Sequence, residues 1–271
     1  MFNQGMAQKA AESLGRVREK RPLVHNITNY VVMNFTANIL LACGASPVMA
    51  HAAEEVEEMV SLAGALVLNI GTLSPPWVEA MRKAGKRANA LHVPVILDPV
   101  GAGATRLRTD SATRLIEEIS IQAIRGNASE ILSLAGEKSG ARTKGVDSVH
   151  TVDQATETVI GLAKELKTTL AVTGAVDLIT DGRRVCRVMN GDEMMSHVTG
   201  TGCAATVIIG AFLAVCSDPL EAATTGLSYF GFAGEKAAAK ASGPGSFQIA
   251  LVDALYEMKE EELRSAAKIQ V

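Results

Sequence analysis

The chain has few aromatic side chains and almost no surplus of charge, and these shortages limit what it can be. Phe, Trp and Tyr make up 4% of the 271 residues, whereas glycine alone occurs 24 times. This balance predicts helices packed closely on a sheet through small side chains. The formal net charge of −3 provides no basic face. Binding to nucleic acid is therefore not expected.

Long apolar runs and paired cysteine motifs are also missing. The longest apolar run, residues 202–216, covers about 15 positions and is too short to span a membrane. The first twenty residues are charged at several positions and have no apolar core, so no signal peptide is expected. The four cysteines form no CxxC pair, which favours reduced thiols over disulfides. They are Cys43, Cys186, Cys203 and Cys216. We expect a cytoplasmic protein without membrane partners.

Apolar strand-like segments alternate with helical patterns along the chain. Residues 22–26, 65–70, 94–98, 123–127 and 169–174 are the strand candidates. This alternation predicts an α/β fold with a mainly parallel sheet and helices on both faces. Residues 177–180 and 183–188 flank an Asp-Gly turn and predict an antiparallel hairpin at the edge. Three helices, at 201–216, 219–241 and 244–264, complete a single domain over 1–271.

A loop of small residues precedes the first of those three helices. The segment VTGTGC (198–203) runs directly into an apolar stretch. Glycines leave backbone N–H groups uncovered, and a helix N-terminus adds about half a positive charge. Together these features indicate an anion site, most often used for phosphate. Cys203 lies at its rim.

Two carboxylates follow predicted strands. Asp98 ends one strand and precedes two glycines, at 101 and 103, that let a ligand approach the backbone. Glu130 lies three residues after Asn127, which ends the next strand. The pair could hold Mg²⁺, mostly through water. Alternatively, Asp98 caps a turn and Glu130 belongs to a capping arrangement at Asn127, and the sequence leaves both interpretations open.

Two further residues suit a phosphate site. Arg125 lies within an otherwise apolar strand, where a charge must be paired or must face a site. It could bind phosphate oxygens or pair with a buried carboxylate. Thr173 and Gly174 end the following strand and could reach a nucleotide, although a plain turn fits equally.

Cys203 allows three interpretations: a packing residue, a reactive nucleophile, or a base facing a substrate hydroxyl. A helix N-terminus lowers a thiol pKa, whereas nearby phosphates raise it. His197 is close in sequence and suggests a thiol hydrolase, but no third orienting group is evident. We expect the remaining histidines, among them His51, His92 and His150, to be structural. His25 is the exception, because it ends the first strand and could line a pocket.

Six segments, in this order along the chain, resemble those of the hydroxyethylthiazole kinases of the ribokinase-like superfamily. They are VHNITN (24–29), GASPVM (44–49), LDPVGA (97–102), GNASE (126–130), VTG (172–174) and GTGC (200–203). The resemblance implies ATP- and Mg²⁺-dependent phosphorylation of the primary hydroxyl of 4-methyl-5-(2-hydroxyethyl)thiazole in thiamine biosynthesis or salvage. It also implies a homotrimer with sites at subunit interfaces.

By the same resemblance, Met49, Gly200 and Asn26 contact the thiazole, and Arg125 and Thr173 contact ATP. Asp98 and Glu130 hold Mg²⁺, and Cys203 faces the substrate hydroxyl. Related kinases of the superfamily place Asp, a ready base, at the position of Cys203. A kinase for hydroxymethylpyrimidine or pyridoxal is the nearest rival, and a Cys203–His197 hydrolase is a more distant one.

Overall fold

A computed structural model describes residues 2–139 and 152–271. Within these residues the strands form one sheet in the order β2-β1-β3-β4-β5-β6-β7-β8-β9. The strands are β1 (Leu23–Ile27), β2 (Ser46–Val48), β3 (Ala65–Asn69), β4 (Val95–Asp98), β5 (Ala123–Asn127), β6 (Thr169–Thr173), β7 (Asp177–Thr180), β8 (Val185–Val188) and β9 (Ile269–Gln270). The first six are mutually parallel and the last three pair antiparallel. The predicted sheet and its antiparallel edge are confirmed.

Helices cover both faces of the sheet. They are α1 (Gln4–Lys20), α2 (Met33–Cys43), α3 (Val56–Val60), α4 (Pro75–Ala90), α5 (Arg106–Glu118), α6 (Ala128–Ser139), α7 (Val152–Leu166), α8 (Thr201–Leu213), α9 (Pro219–Ala238), α10 (Pro244–Glu257) and α11 (Glu260–Ala266). A short 3-10 helix, Glu193–His197, precedes α8. Helices α3 to α7 pack on one face and the remainder on the other. No helix in the described part of the chain is long and apolar enough to cross a membrane.

Strand alternation divides the core into two layers. Val24, Val67 and Ile96 point to the α8 face, while their chain neighbours pack against the opposite helices. Gly210 of α8 lies directly on these three side chains, and a Cβ there would meet Val67 at 2.7 Å. The abundance of small residues thus lets α8 lie close to the sheet, as the composition predicts.

Helix ends depart from the sequence prediction in two places. The sequence pattern favours Thr28 as the cap of α2, but the helix begins at Met33, after a turn in which the Asn29 side chain accepts a hydrogen bond from the Val31 amide. The predicted helix 244–264 is two helices, because Met258 adopts ψ 124° and ends α10. Gly44 ends α2 with φ +100°, as expected for a helix C-terminus. Strands β2 and β9 are not predicted by the sequence pattern.

Candidate active site

A row of polar side chains occupies the carboxyl ends of the parallel strands. Each lies two residues beyond a buried apolar residue, so alternation places it on the α8 face of the sheet. The row consists of Asn26, Asn69, Asp98, Arg125 and Thr173, from β1, β3, β4, β5 and β6. The carboxyl edge of an open parallel sheet is where α/β proteins bind ligands. Four of these five residues are candidates from the sequence.

The start of α8 faces this row. Gly200 precedes the helix with φ +88°, a conformation that favours glycine, and a Cβ there would meet Val32 at 2.8 Å. The first helical hydrogen bond runs from the Ala204 amide to the Gly200 carbonyl. Amides 200–203 therefore have no partner within the helix, and no side chain of the described residues caps it. Uncapped amides at a helix start are what the predicted anion site requires.

Arg125 lies against this helix start. A Cβ on Gly202 would be 2.6 Å from one of its terminal nitrogens, so the glycine leaves the space that the guanidinium fills. Arg125 donates to the Thr173 hydroxyl at 2.5 Å, and another terminal nitrogen lies 3.9 Å from Asp98 Oδ2. The two sequence interpretations of Arg125 are thus compatible, because it contacts a carboxylate and also borders the anion site.

Asp98 is fully buried at the centre of the row. Its Oδ2 accepts hydrogen bonds from Asn69 Nδ2 at 2.9 Å and from the Thr206 hydroxyl at 2.8 Å. Among the described residues, its Oδ1 is buried without a hydrogen-bond partner. Burial raises the pKa of this carboxyl to about 6, against the opposing effects of Arg125 and Thr206. One oxygen is therefore held in place, and the acceptor capacity of the other is unused among the described residues.

Cys203 lies beside Asp98 on the first turn of α8. Asn69 Nδ2 donates to its sulfur at 3.2 Å, and Asn29 Nδ2 approaches at 3.7 Å. Burial, followed by the charge of Asp98, raises the pKa of the thiol to about 12. The thiol is protonated at neutral pH. Together with the exposed position of His197, this argues against the thiol hydrolase.

Glu130 occupies the first turn of α6, and its carboxylate contacts the backbone after β4 and at the end of β5. Its Oε1 accepts from the Gly101 amide at 2.8 Å and its Oε2 from the Asn127 amide at 2.9 Å. The Asn127 side chain in turn accepts from the Glu130 amide. The capping arrangement weighed from the sequence is therefore present. Each carboxylate oxygen keeps the capacity to accept a further contact.

Asn26 and Met49 lie at the β1–β2 end of the sheet. Asn26 Nδ2 donates to the Val24 carbonyl at 2.8 Å, and its buried Oδ1 has no partner among the described residues. Met49 directly follows β2 and is half-buried. His25 Nε2 lies 2.8 Å from the Ala50 carbonyl, which ties the loop after Met49 to β1.

A cavity of about 460 Å³ opens between Arg125 and α9. Its lining includes the cation of Arg125, the apolar side chains of Leu227 and Phe230, and the carboxyl groups of Asp177, Asp192 and Glu193. The loop that follows β8 closes one side. A cleft of this size, with a cation and apolar side chains in its lining, fits a nucleotide better than it fits a small alcohol.

Sequence reasoning misses three residues that contact the site: Asn29, Asn69 and Thr206. Asn69 is visible in the sequence only as a polar interruption of an apolar strand, and Thr206 lies within an apolar helix. Asn29 stands out only as the end of a matching segment. Of the histidines expected to be structural, His51 stacks on Trp77 with ring centroids 4.2 Å apart, whereas His150 lies outside the described residues.

Uncapped amides at a helix start, a partly buried arginine and two carboxylates at one sheet edge are what phosphoryl transfer to a small alcohol requires. The fold and this arrangement define a kinase of the ribokinase-like class. The family model described as the hydroxyethylthiazole kinase family matches residues 14–261. The chain belongs to that family.

Related sequences match this chain over nearly its whole length. A hydroxyethylthiazole kinase of Desulfotalea psychrophila is 60% identical over 261 residues, which are 96% of this chain and 95% of the relative. One of Desulfosudis oleivorans is 53% identical, over 97% of this chain and 96% of the relative. The chain is thus an enzyme of the kinase type, and the resemblance seen in the sequence is confirmed.

Solved structures agree in fold. A hydroxyethylthiazole kinase protein from Pyrococcus horikoshii matches with a TM-score of 0.89 and 50% identity, covering 96% of this chain and 98% of that one. A pyridoxal kinase from Staphylococcus aureus, in complex with AMP-PCP and pyridoxal, matches with a TM-score of 0.60 and 14% identity over 79% of this chain and 88% of that one. The second likeness concerns the fold alone.

Proposed function

We propose that this enzyme transfers the γ-phosphoryl group of Mg·ATP to the primary hydroxyl of 4-methyl-5-(2-hydroxyethyl)thiazole. The observation that carries the proposal is the uncapped start of α8 with Arg125 packed against Gly202. Uncapped backbone amides and a guanidinium therefore lie close to one point at the sheet edge. Such a point stabilises the charge on a phosphoryl group during transfer.

The nucleotide would occupy the cavity beside Arg125. Arg125 and the amides at 202–203 would bind its phosphates, and Thr173 would contact it at the end of β6. The base and ribose would then extend toward Leu227 and Phe230. In this orientation the terminal phosphate would lie at the start of α8, facing Cys203.

The carboxylates fit a magnesium ion held mostly through water. Asp98 Oδ1 is buried without a partner among the described residues, and a charged oxygen in that state suits a hydrated cation. Glu130 would contribute lone pairs that its two backbone contacts leave open. No group of three or more metal-binding side chains occurs in the described ranges. The bound ion would neutralise phosphate charge, and the phosphates would supply the remaining oxygens.

Transfer at this site does not depend on a strong base. The substrate oxygen bonds to the γ-phosphorus as the bond to the ADP oxygen breaks, and the hydroxyl proton is released to water. A thiol with a pKa of about 12 is a poor acceptor for that proton at pH 7. A positioned base contributes about 10²- to 10⁴-fold, and a loose transition state depends mainly on alignment and charge neutralisation. Cys203 therefore lines the site more than it drives the reaction.

The thiazole would lie between Asn26, Met49 and Gly200. Asn26 Oδ1, which has no partner among the described residues, would offer the thiazole a hydrogen-bond acceptor. Tyr30 and Val31, which follow β1, are 67% and 64% exposed. Exposed apolar residues at the rim support the homotrimer with sites at subunit interfaces that the family resemblance implies. We also propose a cytoplasmic location, because the four cysteines form no CxxC pair and favour reduced thiols.

The decisive experiment measures ADP release by the purified protein with Mg·ATP, with and without the thiazole alcohol. The proposal expects release only when the alcohol is present, with a stoichiometric phosphate ester in the products. Pyridoxal and hydroxymethylpyrimidine, each supplied alone, are the comparison substrates. A higher kcat/KM with either of them, or ADP release at the same rate without the thiazole alcohol, would refute the substrate assignment.

A further inference from the structure

Two asparagines connect the loops after β1 and β3 to the sulfur of Cys203. We propose that Asn69, oriented by Asn29, is a positioning residue that fixes the side chain at 203 relative to the Asp98 carboxylate. Asn69 is 2% exposed and Asn29 is 4% exposed, so both amides act within the protein interior. The catalytic readout of this proposal rests on the proposed function, whereas its structural readout does not.

The orientation of the Asn69 amide is determined at both ends. Its Oδ1 accepts from the Gly71 backbone amide at 3.0 Å, and a backbone N–H can only donate. Its Nδ2 must therefore face Asp98 Oδ2, at 2.9 Å, and Cys203 Sγ, at 3.2 Å. The two hydrogens of one NH₂ group thus join the carboxylate and the thiol.

Asn29 is oriented by the same logic. Its Oδ1 accepts from the Val31 amide at 3.1 Å, which leaves its Nδ2 to donate. That nitrogen lies 2.8 Å from Asn69 Oδ1 and 3.7 Å from Cys203 Sγ. Backbone groups of two loops therefore set the direction of the whole chain of hydrogen bonds. Both of the amides that reach the sulfur act as donors.

This arrangement makes a prediction about the atom at position 203. Hydrogen bonds to a charged acceptor are roughly twice as strong as those to a neutral one. The amide donors should therefore stabilise a methyl group at position 203 least, a thiol more, and a carboxylate most. If Asn69 only filled space in the core, replacing it would have the same effect with each of the three side chains at position 203.

The test is a double-mutant cycle in three backgrounds: Cys203→Ala, wild type and Cys203→Asp. In each, Asn69→Leu removes the amide at similar volume, and kcat/KM for the thiazole alcohol is measured. We expect the loss caused by Asn69→Leu to rise in the order Ala, Cys, Asp, with about a fivefold larger loss in the Asp than in the Ala background. Losses equal within about twofold in all three would overturn the proposal.

Thr206→Val is the matched control, because Thr206 donates to the same Asp98 oxygen and no hydrogen bond in the described part of the chain joins it to the sulfur. Its effect on kcat/KM should be the same in all three backgrounds. A graded effect of Thr206→Val would show that Asp98, and not the side chain at 203, transmits the effect of Asn69. That result would also overturn the proposal.

A second arm needs no substrate. The melting temperature of the same variants should fall most on Asn69→Leu in the Cys203→Asp background, even if the thiazole kinase activity proves absent. If Asn69→Leu does not fold, Asn29→Ala removes its anchor and should show the same order. If neither variant folds in any background, the amides serve the fold alone and the proposal is wrong.

Discussion

Gly202 leaves the space that Arg125 occupies, and adding one methyl group there tests the anion site directly. A Cβ at 202 would lie 2.6 Å and 3.1 Å from the two terminal guanidinium nitrogens and 3.2 Å from the carbon between them. Gly202 has a helical backbone conformation, so alanine introduces no backbone strain and gains up to about 1 kcal/mol in helix propensity. The side chain of Arg125 must move instead.

The size of that movement follows from the contacts. Ordinary van der Waals separation begins near 3.4 Å, so the guanidinium must retreat by about 0.8 Å. Its hydrogen bond to Thr173, at 2.5 Å, cannot survive unchanged. A displacement of about 1 Å in a positioned catalytic group can cost about 10²-fold. We therefore expect Gly202→Ala to lower kcat/KM for ATP by about 10- to 100-fold while the melting temperature is unchanged or higher.

The assay is steady-state ADP formation with the thiazole alcohol in excess, alongside thermal denaturation. Gly161→Ala is the control, since Gly161 lies on an exposed part of α7 and a Cβ there meets nothing within 4 Å. That variant should gain stability and keep full activity. Unchanged kcat/KM in Gly202→Ala would refute the role assigned to Arg125 and the start of α8.

Three further sets of variants test other parts of the account. Cys203→Asp should keep or raise the rate and Cys203→Ala should keep part of it, and complete loss in a folded Cys203→Asp would contradict the assignment of position 203. Asp98→Asn should abolish turnover. Burial raises the pKa of Asp98 from 3.8 to about 6. The melting temperature of the wild type should therefore fall relative to that of Asp98→Asn as the pH rises from about 4 to 6. A difference in melting temperature that stays constant over this range would contradict the raised pKa. Gly44→Ala should cost about 1–2 kcal/mol in urea unfolding with activity retained, because φ there is +100° and a Cβ would meet Arg18 at 2.8 Å.

The sequence predicts most of the sheet because its signals are local. Buried strands are continuous apolar runs, and the Asp-Gly pair at 181–182 marks the hairpin wherever it lies in the fold. The missed strands β2 and β9 are two or three residues long and form only by pairing with a neighbour. The start of α2 is misplaced by the sequence pattern because Asn29 uses its side chain in a turn and not in a helix cap.

The same distinction between local signals and long-range contacts applies to the candidate site. Asp98 and Thr173 end strands, Gly200 precedes a helix, and Arg125 is a charge within an otherwise apolar strand, so local sequence signals are enough to select them. Asn69 and Thr206 lie inside regular apolar elements. The register of β3 with β4 brings Asn69 to Asp98, and the packing of α8 on the sheet brings Thr206 there. Such residues are recognised once three dimensions are known, because their partners are distant in sequence.

The account depends most on where the terminal phosphate binds. A crystal structure with a non-hydrolysable ATP analogue, Mg²⁺ and the thiazole alcohol would show this directly. We predict that γ-phosphate oxygens lie within hydrogen-bond distance of the 202 and 203 amides and of Arg125, with the alcohol oxygen facing the phosphorus beside Cys203. A terminal phosphate bound elsewhere, with these amides facing solvent, would contradict the central claim.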